Sequence, residues 1–150
     1  MKVLQILPQL NIGGVERGTL DLSKALIQKG HESFVISGGG ILVDELIQSG
    51  AKHYEIPVHI KSLRTLSLAK NLSKTISFID PDIVHVRSRM PAWVNFRAFK
   101  MLQKKPLLIS TFHGLYSFPI YSQVMSFVDH SIAISKTVEK YILKNYKLNK

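Results

Sequence analysis

The chain has 150 residues, 45% of them hydrophobic and 20% charged, with a formal charge of +10 and no cysteine. This is the size and balance of one soluble globular domain with a substantial core, and it excludes disordered and fibrous classes. Without cysteine there is no disulfide framework, thiol nucleophile or cysteine zinc site, which fits a reducing compartment. Met1 to Leu7 begins like a secretory leader, but Pro8, Gln9 and Asn11 interrupt it and no small-residue cleavage site follows. No apolar run approaches the ~18 residues of a membrane span, so a cytoplasmic location is expected.

The charge is uneven. Residues 1–60 balance at −1, residues 61–105 carry ten Lys/Arg against Asp80 and Asp82, and residues 106–150 stand at +3. The basic middle third predicts either a lysine-rich solvated surface or an acidic partner, namely an anionic membrane surface or a phosphorylated ligand. No basic and aromatic interleaving of the RNA-binding kind is present, so no nucleic-acid partner is expected.

Period and punctuation predict a regular alternation. Lys2–Leu7 reads as a buried strand. Val15–Lys29 reads as a helix with Leu22, Ala25 and Leu26 on its apolar face, ended by Gly30. Glu32–Ser37 is a strand, Gly38-Gly39-Gly40 a sharp turn, and Ile41–Ser49 a short helix closed by Gly50. Lys52–Ile56 is a third strand and Leu63–Phe78 a helix with Leu66, Leu68, Leu72, Ile76 and Ile79 at near-helical spacing. Asp82–Val86 is a fourth strand, and Pro91 stands in the first turn of a helix reaching about Gln103. Leu107–Thr111 and Ser131–Ile134 are the fifth and sixth strands, and Ser135 caps a last helix, Lys136 to about Tyr146. Apolar strands alternating with helices predict an α/β fold, a three-layer Rossmann-like domain with a mostly parallel sheet.

Such sheets bind ligands beyond the carboxyl ends of their strands, and the unusual residues fall there. Gly13-Gly14 follows the first strand, Gly38-Gly39-Gly40 the second, Arg87-Ser88-Arg89 the fourth and Phe112-His113-Gly114 the fifth. A glycine pair opening a helix is either a bare tight turn or a loop that lets backbone approach an anion at the helix N-terminus. Arg87 and Arg89 suit bidentate contacts with phosphate or carboxylate, with a surface ion pair as the plain alternative for Arg87.

Several chemistries lack their residues. Gly13, Gly14 and Gly18 do not make G-x-G-x-x-G, and the second strand ends without a ribose-binding carboxylate. There is no G-x-x-x-x-G-K-[ST] phosphate loop and no G-x-S-x-G elbow. The six histidines do not pair at metal spacing, so neither a metal nor another cofactor is expected, and His31 and His85 read as turn or core residues.

Five segments in order then carry a family resemblance: Gly13-Gly14-Val15-Glu16, Leu26-Ile27-Gln28-Lys29-Gly30-His31-Glu32, Pro81-Asp82-Ile83-Val84-His85-Val86, Ser110-Thr111-Phe112-His113-Gly114 and Ala133-Ile134-Ser135. Together they resemble the N-terminal domain of the GT-B-fold retaining glycosyltransferases of family 4, across the whole chain. The resemblance implies that Gly13 and Gly14 approach the diphosphate of a nucleotide-sugar donor. It implies that His113 lies near the reacting sugar as a hydrogen-bonding catalytic group more than a general base; a loop histidine bonding its own backbone is the alternative. Glu16 matches the motif on the acceptor side, though at a helix start it also favours the dipole.

One departure stands out. The family often has a histidine shortly after the Pro-Asp-Ile-Val-His strand, where this chain has Arg87-Ser88-Arg89. That resembles bacterial members associated with cell-surface polysaccharide or lipopolysaccharide assembly, and it assigns Arg87, Ser88 and Arg89 to an anionic saccharide or lipid-linked acceptor. The resemblance also implies a second, donor-binding domain with a paired-glutamate motif, absent from these 150 residues. The expectation is therefore the acceptor-side half of an enzyme, incomplete as a catalyst alone and peripheral at the inner face of the cell membrane. A non-catalytic, membrane-recruiting subunit that pairs with a separate donor-binding chain is the second reading. A sugar-nucleotide epimerase half-domain shares the fold, but no pair of acid/base carboxylates stands on these strand ends.

Overall fold

The computed structural model describes residues 1–60, 65–117 and 119–148. Leu63, the expected start of the third helix, lies outside them. The strands are β1 (Lys2–Ile6), β2 (Glu32–Ser37), β3 (Lys52–Glu55), β4 (Ile83–Val86), β5 (Leu107–Phe112) and β6 (His130–Ala133). They form one sheet in the order β3-β2-β1-β4-β5-β6, and every pairing is parallel. The helices are α1 (Gly14–Gln28), α2 (Val43–Gln48), α3 (Thr65–Ile79), α4 (Arg89–Phe99), α5 (Pro119–Ser122) and α6 (Lys136–Asn145), with a 3-10 turn at Gln123–Ser126.

Residues in register in a parallel sheet share a face. On one face Leu4, Ile6, Phe34, Ile36, Val84, Val86, Leu108 and Phe112 meet α3, α4, α6 and the 3-10 turn in a core of 24 buried apolar residues. On the other face, Leu7 and Val35 meet α1 and α2 in a second core of seven, with Leu20, Leu42 and Leu46. Right-handed crossovers explain the division. Steps from β1 outward to β3 place α1 and α2 on one side, and the return to β4 and onward places the later helices on the other.

Two expectations are corrected in detail. The face that α1 buries is Thr19, Leu20 and Ser23, while Ala25 is exposed and Leu22 and Leu26 are half-buried. The strands beneath carry Gln5 and Ser33, so the contacting stripe of the helix is partly polar, and a stripe chosen for hydrophobicity alone is rotated away from it. In α4 the helix starts at Arg89 and stops at Phe99, short of Gln103. The chain turns there, with Leu102 N–H donating to the Phe99 carbonyl (3.3 Å), and Leu102 re-enters the core.

The remaining joints follow local chemistry. Asp80, at φ 47°, closes α3 by donating its N–H to the Ile76 carbonyl (2.9 Å). Gly40, at φ 142°, packs so closely on the Leu10 backbone that a Cβ would overlap it. Ser135 caps α6 as expected, its Oγ accepting from the Val138 N–H at 3.2 Å.

Candidate functional site at the carboxyl ends of the strands

The Gly13-Gly14 loop leaves β1 and starts the 15-residue α1, with Gly13 as N-cap and no side-chain capping bond. The first-turn N–H groups thus carry no side-chain cap, and the positive end of the helix dipole lies behind them. Nothing lies within 4 Å of a Cβ built on Gly14, whereas one on Gly13 would overlap the Glu16 carboxylate. Glu16, the third helical residue, therefore folds back over the N-terminus it follows.

Against the following turn of α1, at Gly18, lies Arg87. It is not the exposed ion-pair residue considered above, being only 7% exposed. Its Nη1 donates to Gln5 Oε1 at 2.8 Å, and Gln5 Nε2 donates in turn to the Thr19 carbonyl (3.1 Å) and Ser23 Oγ (3.0 Å). Ser33 Oγ donates to Ser23 Oγ at 3.0 Å, completing a buried polar chain from β2 through α1 and β1 to the end of β4. Gly18 permits the arrangement, since a Cβ there would stand 3.2 Å from Arg87 Nη2. Burial pushes the Arg87 guanidinium down from its ordinary pKa, and the Glu16 carboxylate opposes that shift. A guanidinium nonetheless keeps its proton in proteins, and Arg87 Nε has no hydrogen-bond partner among the described residues.

Two histidines complete the cluster. His85, beside Gln5 in register, shares a 2.7 Å hydrogen bond between its Nε2 and Thr111 Oγ1. Burial, then the charges of Arg87 and His113, pushes its pKa down to about 3. His113 follows β5; burial and the Arg87 charge push its pKa down to about 4. Both rings are neutral at physiological pH. The His113 ring Nε2 is buried and has no hydrogen-bond partner among the described residues, while its backbone N–H donates to Tyr116 Oη at 3.3 Å.

Arg89 goes elsewhere. Its guanidinium carbon lies 4.8 Å from the Tyr116 ring centroid and 5.6 Å from that of Tyr121. Its Nη1 reaches the Ser117 carbonyl at 3.4 Å and Ser122 Oγ at 3.5 Å. Ser88 is the N-cap of α4 and makes no side-chain capping bond. The structure thus gathers Gly13, Gly14, Glu16, Arg87 and His113, and sets Arg89 against the aromatic loop after β5. Sequence reading missed Gln5, Thr19, Ser23 and Ser33; the available signal was a glutamine inside an apolar strand. Two sizeable clefts, of about 520 and 430 Å³, lie instead at the amino ends of β4 and β5, among residues such as Asp80, Lys104 and Leu107.

A family model described as Glycosyltransferase Family 4 matches residues 12–150. A crystal structure of a glycosyltransferase from Rickettsia africae ESF-5 is 36% identical, with a TM-score of 0.80, over 99% of this chain and 40% of that one. The chain therefore belongs to glycosyltransferase family 4, and its six-stranded parallel sheet is a Rossmann-like unit of the GT-B type. The lipopolysaccharide outer core galactosyltransferase WaaB in its apo form is 18% identical, with a TM-score of 0.72, over 99% of this chain and 45% of that one. Anabaena Alr3699/HepE in complex with UDP is likewise 18% identical, with a TM-score of 0.75, over 99% and 43% of the two chains. At that identity they share the fold. The chain spans less than half the length of these solved chains. No curated protein matches it.

Proposed function

We propose that this chain is the acceptor-side half of a retaining glycosyltransferase, moving a sugar from a nucleotide-sugar donor to a cell-envelope saccharide or lipid-linked acceptor. The observation that carries the reading is the buried Arg87, with an unpartnered Nε, set against Gly18 in the glycine-opened helix α1. When the donor's sugar–phosphate bond breaks, negative charge grows on the departing diphosphate. The first-turn N–H groups of α1 and the fixed cation of Arg87 are groups that favour that charge. The Gln5 bond holds the guanidinium in place before the ligand arrives.

His113 suits a hydrogen bond to a hydroxyl of the transferred sugar. With a pKa near 4 it is a weak base at neutral pH, and its unpartnered Nε2 is the group to make that bond. Glu16, Ser88 and Arg89 remain the candidates for the acceptor side, Glu16 from the helix start and the other two from the β4 end. The three solved chains compared above are more than twice as long, and Anabaena Alr3699/HepE was solved with UDP. The reading therefore has a second domain closing over the rim to exclude water from the reacting phosphate. The 150 residues alone are then not a competent catalyst. Proximity to the inner face of a membrane belongs to the same reading through the lipid-linked acceptor. Among the described residues no helix is long and apolar enough to cross a membrane.

The test is titration of the isotopically labelled chain with UDP, followed by amide and imidazole resonances, beside a turnover assay with UDP-sugars. Shifts should centre on Gly13, Gly14 and His113, Arg87→Met should weaken them at least tenfold, and no transfer should occur. Shifts elsewhere, or none at saturating UDP, would sink the donor-site assignment. Transfer above background would sink the incomplete-catalyst claim. If a longer form carrying the second domain also failed to transfer sugar, the recruiting-subunit reading would replace the enzymatic one.

A further inference from the structure

The two helical layers differ in charge as well as in packing. In α1 and α2, Arg17 and Lys24 stand against Glu16, Asp21, Asp44 and Glu45. On the other face, α3 carries Lys70 and Lys74, α4 carries Arg89 and Arg97, and neither helix contains a carboxylate. Lys100, Lys104 and Lys105 follow α4 in the chain, Lys104 lining a cleft with Lys74 and Lys105 the neighbouring cleft at the same end of the sheet. The two carboxylates of the stretch are already engaged. Asp80 takes both oxygens to Lys104 Nζ (2.8 and 3.1 Å), and Asp82 Oδ2 accepts the Lys2 backbone N–H (2.7 Å). Lys70, Lys74, Arg97, Lys100 and Lys105 are exposed and take part in none of the ion pairs among the described residues.

Apolar groups stand among these cations. Phe78 is 79% exposed, one helical turn beyond Lys74 on α3, and Met101 is 49% exposed where Lys74 and Lys104 line the same cleft. Four of these five cations are lysines, Lys100 lying 4.5 Å from the Phe96 ring centroid, and lysines act as point charges without the planar fork of arginine for a shaped carboxylate or phosphate site. Diffuse positive charge around an exposed aromatic is the chemistry of a membrane interface.

We propose that the outer surface of the α3–α4 layer docks on an anionic lipid surface, led by Lys70, Lys74, Arg97, Lys100, Lys105 and Phe78. The proposal rests on the membrane-proximal reading above and adds which face meets the bilayer. The acidic α1–α2 layer is repelled by the same surface, so the charge asymmetry orients the molecule as well as attracting it. Both α3 and α4 run from the carboxyl-end rim back toward the amino ends of the strands. A membrane along their outer side therefore has the rim at its border, where a lipid-linked acceptor can reach Arg87 and His113 from the side.

The experiment is co-sedimentation of the 150-residue chain with phosphatidylcholine vesicles, with and without phosphatidylglycerol, at low and high salt. Binding should require phosphatidylglycerol and fade with salt. The double variant Lys74→Glu/Lys100→Glu should lose about tenfold or more in partitioning. Lys29→Glu, at the end of α1 in the opposite layer, should lose little. Phe78→Ser should weaken binding while leaving its salt dependence in place. Lys74→Gln/Lys100→Gln, with circular dichroism on every variant, separates charge from folding. No preference for anionic vesicles in the parent chain would overturn both the proposal and the membrane reading. Binding that survives the double variants, or falls equally with Lys29→Glu, would overturn this surface and leave the membrane reading standing. Tighter capture by a single-stranded RNA homopolymer than by the vesicles would overturn the lipid assignment in favour of nucleic acid.

Discussion

The two faces of one sheet do different work. The face under α3, α4 and α6 is a continuous apolar core of 24 buried residues. The face under α1 is smaller, and much of its contact is made by Gln5, Ser23, Ser33 and Thr19. A buried polar chain stabilises less per area than apolar packing, but it fixes orientation because every broken bond leaves a stranded group. Here the oriented group is Arg87, held by Gln5 beside Gly18 of α1. Stability is concentrated on one face and the positioning of charge on the other.

Substitutions can break that contrast, and the largest effect belongs to the apolar side. Phe112→Ala removes a fully buried ring that packs on Tyr116 and Tyr146, with centroids 5.6 and 5.3 Å away. Urea denaturation should show a loss of about 3–5 kcal/mol; a loss below about 1 kcal/mol would mean that the core is not where stability resides. Next comes Gln5→Leu, which strands the Arg87 guanidinium by removing its Gln5 Oε1 acceptor. It should cost about 1–3 kcal/mol and weaken UDP binding by a larger factor than Phe112→Ala does in the temperature range where both remain folded. Equal effects on binding would contradict the division of labour.

Acid sharpens the comparison without mutation. His85 and His113 have folded pKa values of about 3 and about 4, depressed by burial from 6.5. Below 6.5 the unfolded chain takes up protons that the folded chain refuses, so their contribution is complete above that pH and is lost as pH falls toward the folded values. His85 should account for most of the loss, since half-buried His113 is partly screened. Denaturation midpoints should decline steadily from pH 7 to pH 4.5, and His85→Phe should flatten the decline. The smallest effect is at the far end of the chain. Ser135→Ala removes the α6 cap and should cost about 1 kcal/mol, with UDP binding unchanged.

Much of the architecture was legible because it is local. Period-two and period-3.6 apolar patterns, Gly30, Gly50 and Ser135 mark elements whose ends fall within a few residues of their expected places. The short α5 and the 3-10 turn at Gln123–Ser126 were not legible, since they are held by packing of Val124 and Met125 into the core and carry little pattern of their own. Gly13, Gly14, Arg87 and His113 were named from their positions at strand ends. The role of Arg89 could not be read the same way. Its stacking on Tyr116 and Tyr121 joins residues about thirty positions apart.

The sequence by itself determined the alternation of strands and helices, the cluster of basic and glycine residues at strand ends, and the excess of positive charge in the middle third. These follow from local backbone preference and composition, which act over a few residues. Only the tertiary structure decided that Arg87 is buried and that α1 faces the sheet through Thr19 and Ser23. It also decided that Lys70, Lys74, Arg97 and Lys100 of the middle third stand on a helical layer opposite an acidic one. Those outcomes depend on strand order and crossover hand, which bring Gln5 beside His85 and close to Arg87 across some eighty residues of chain.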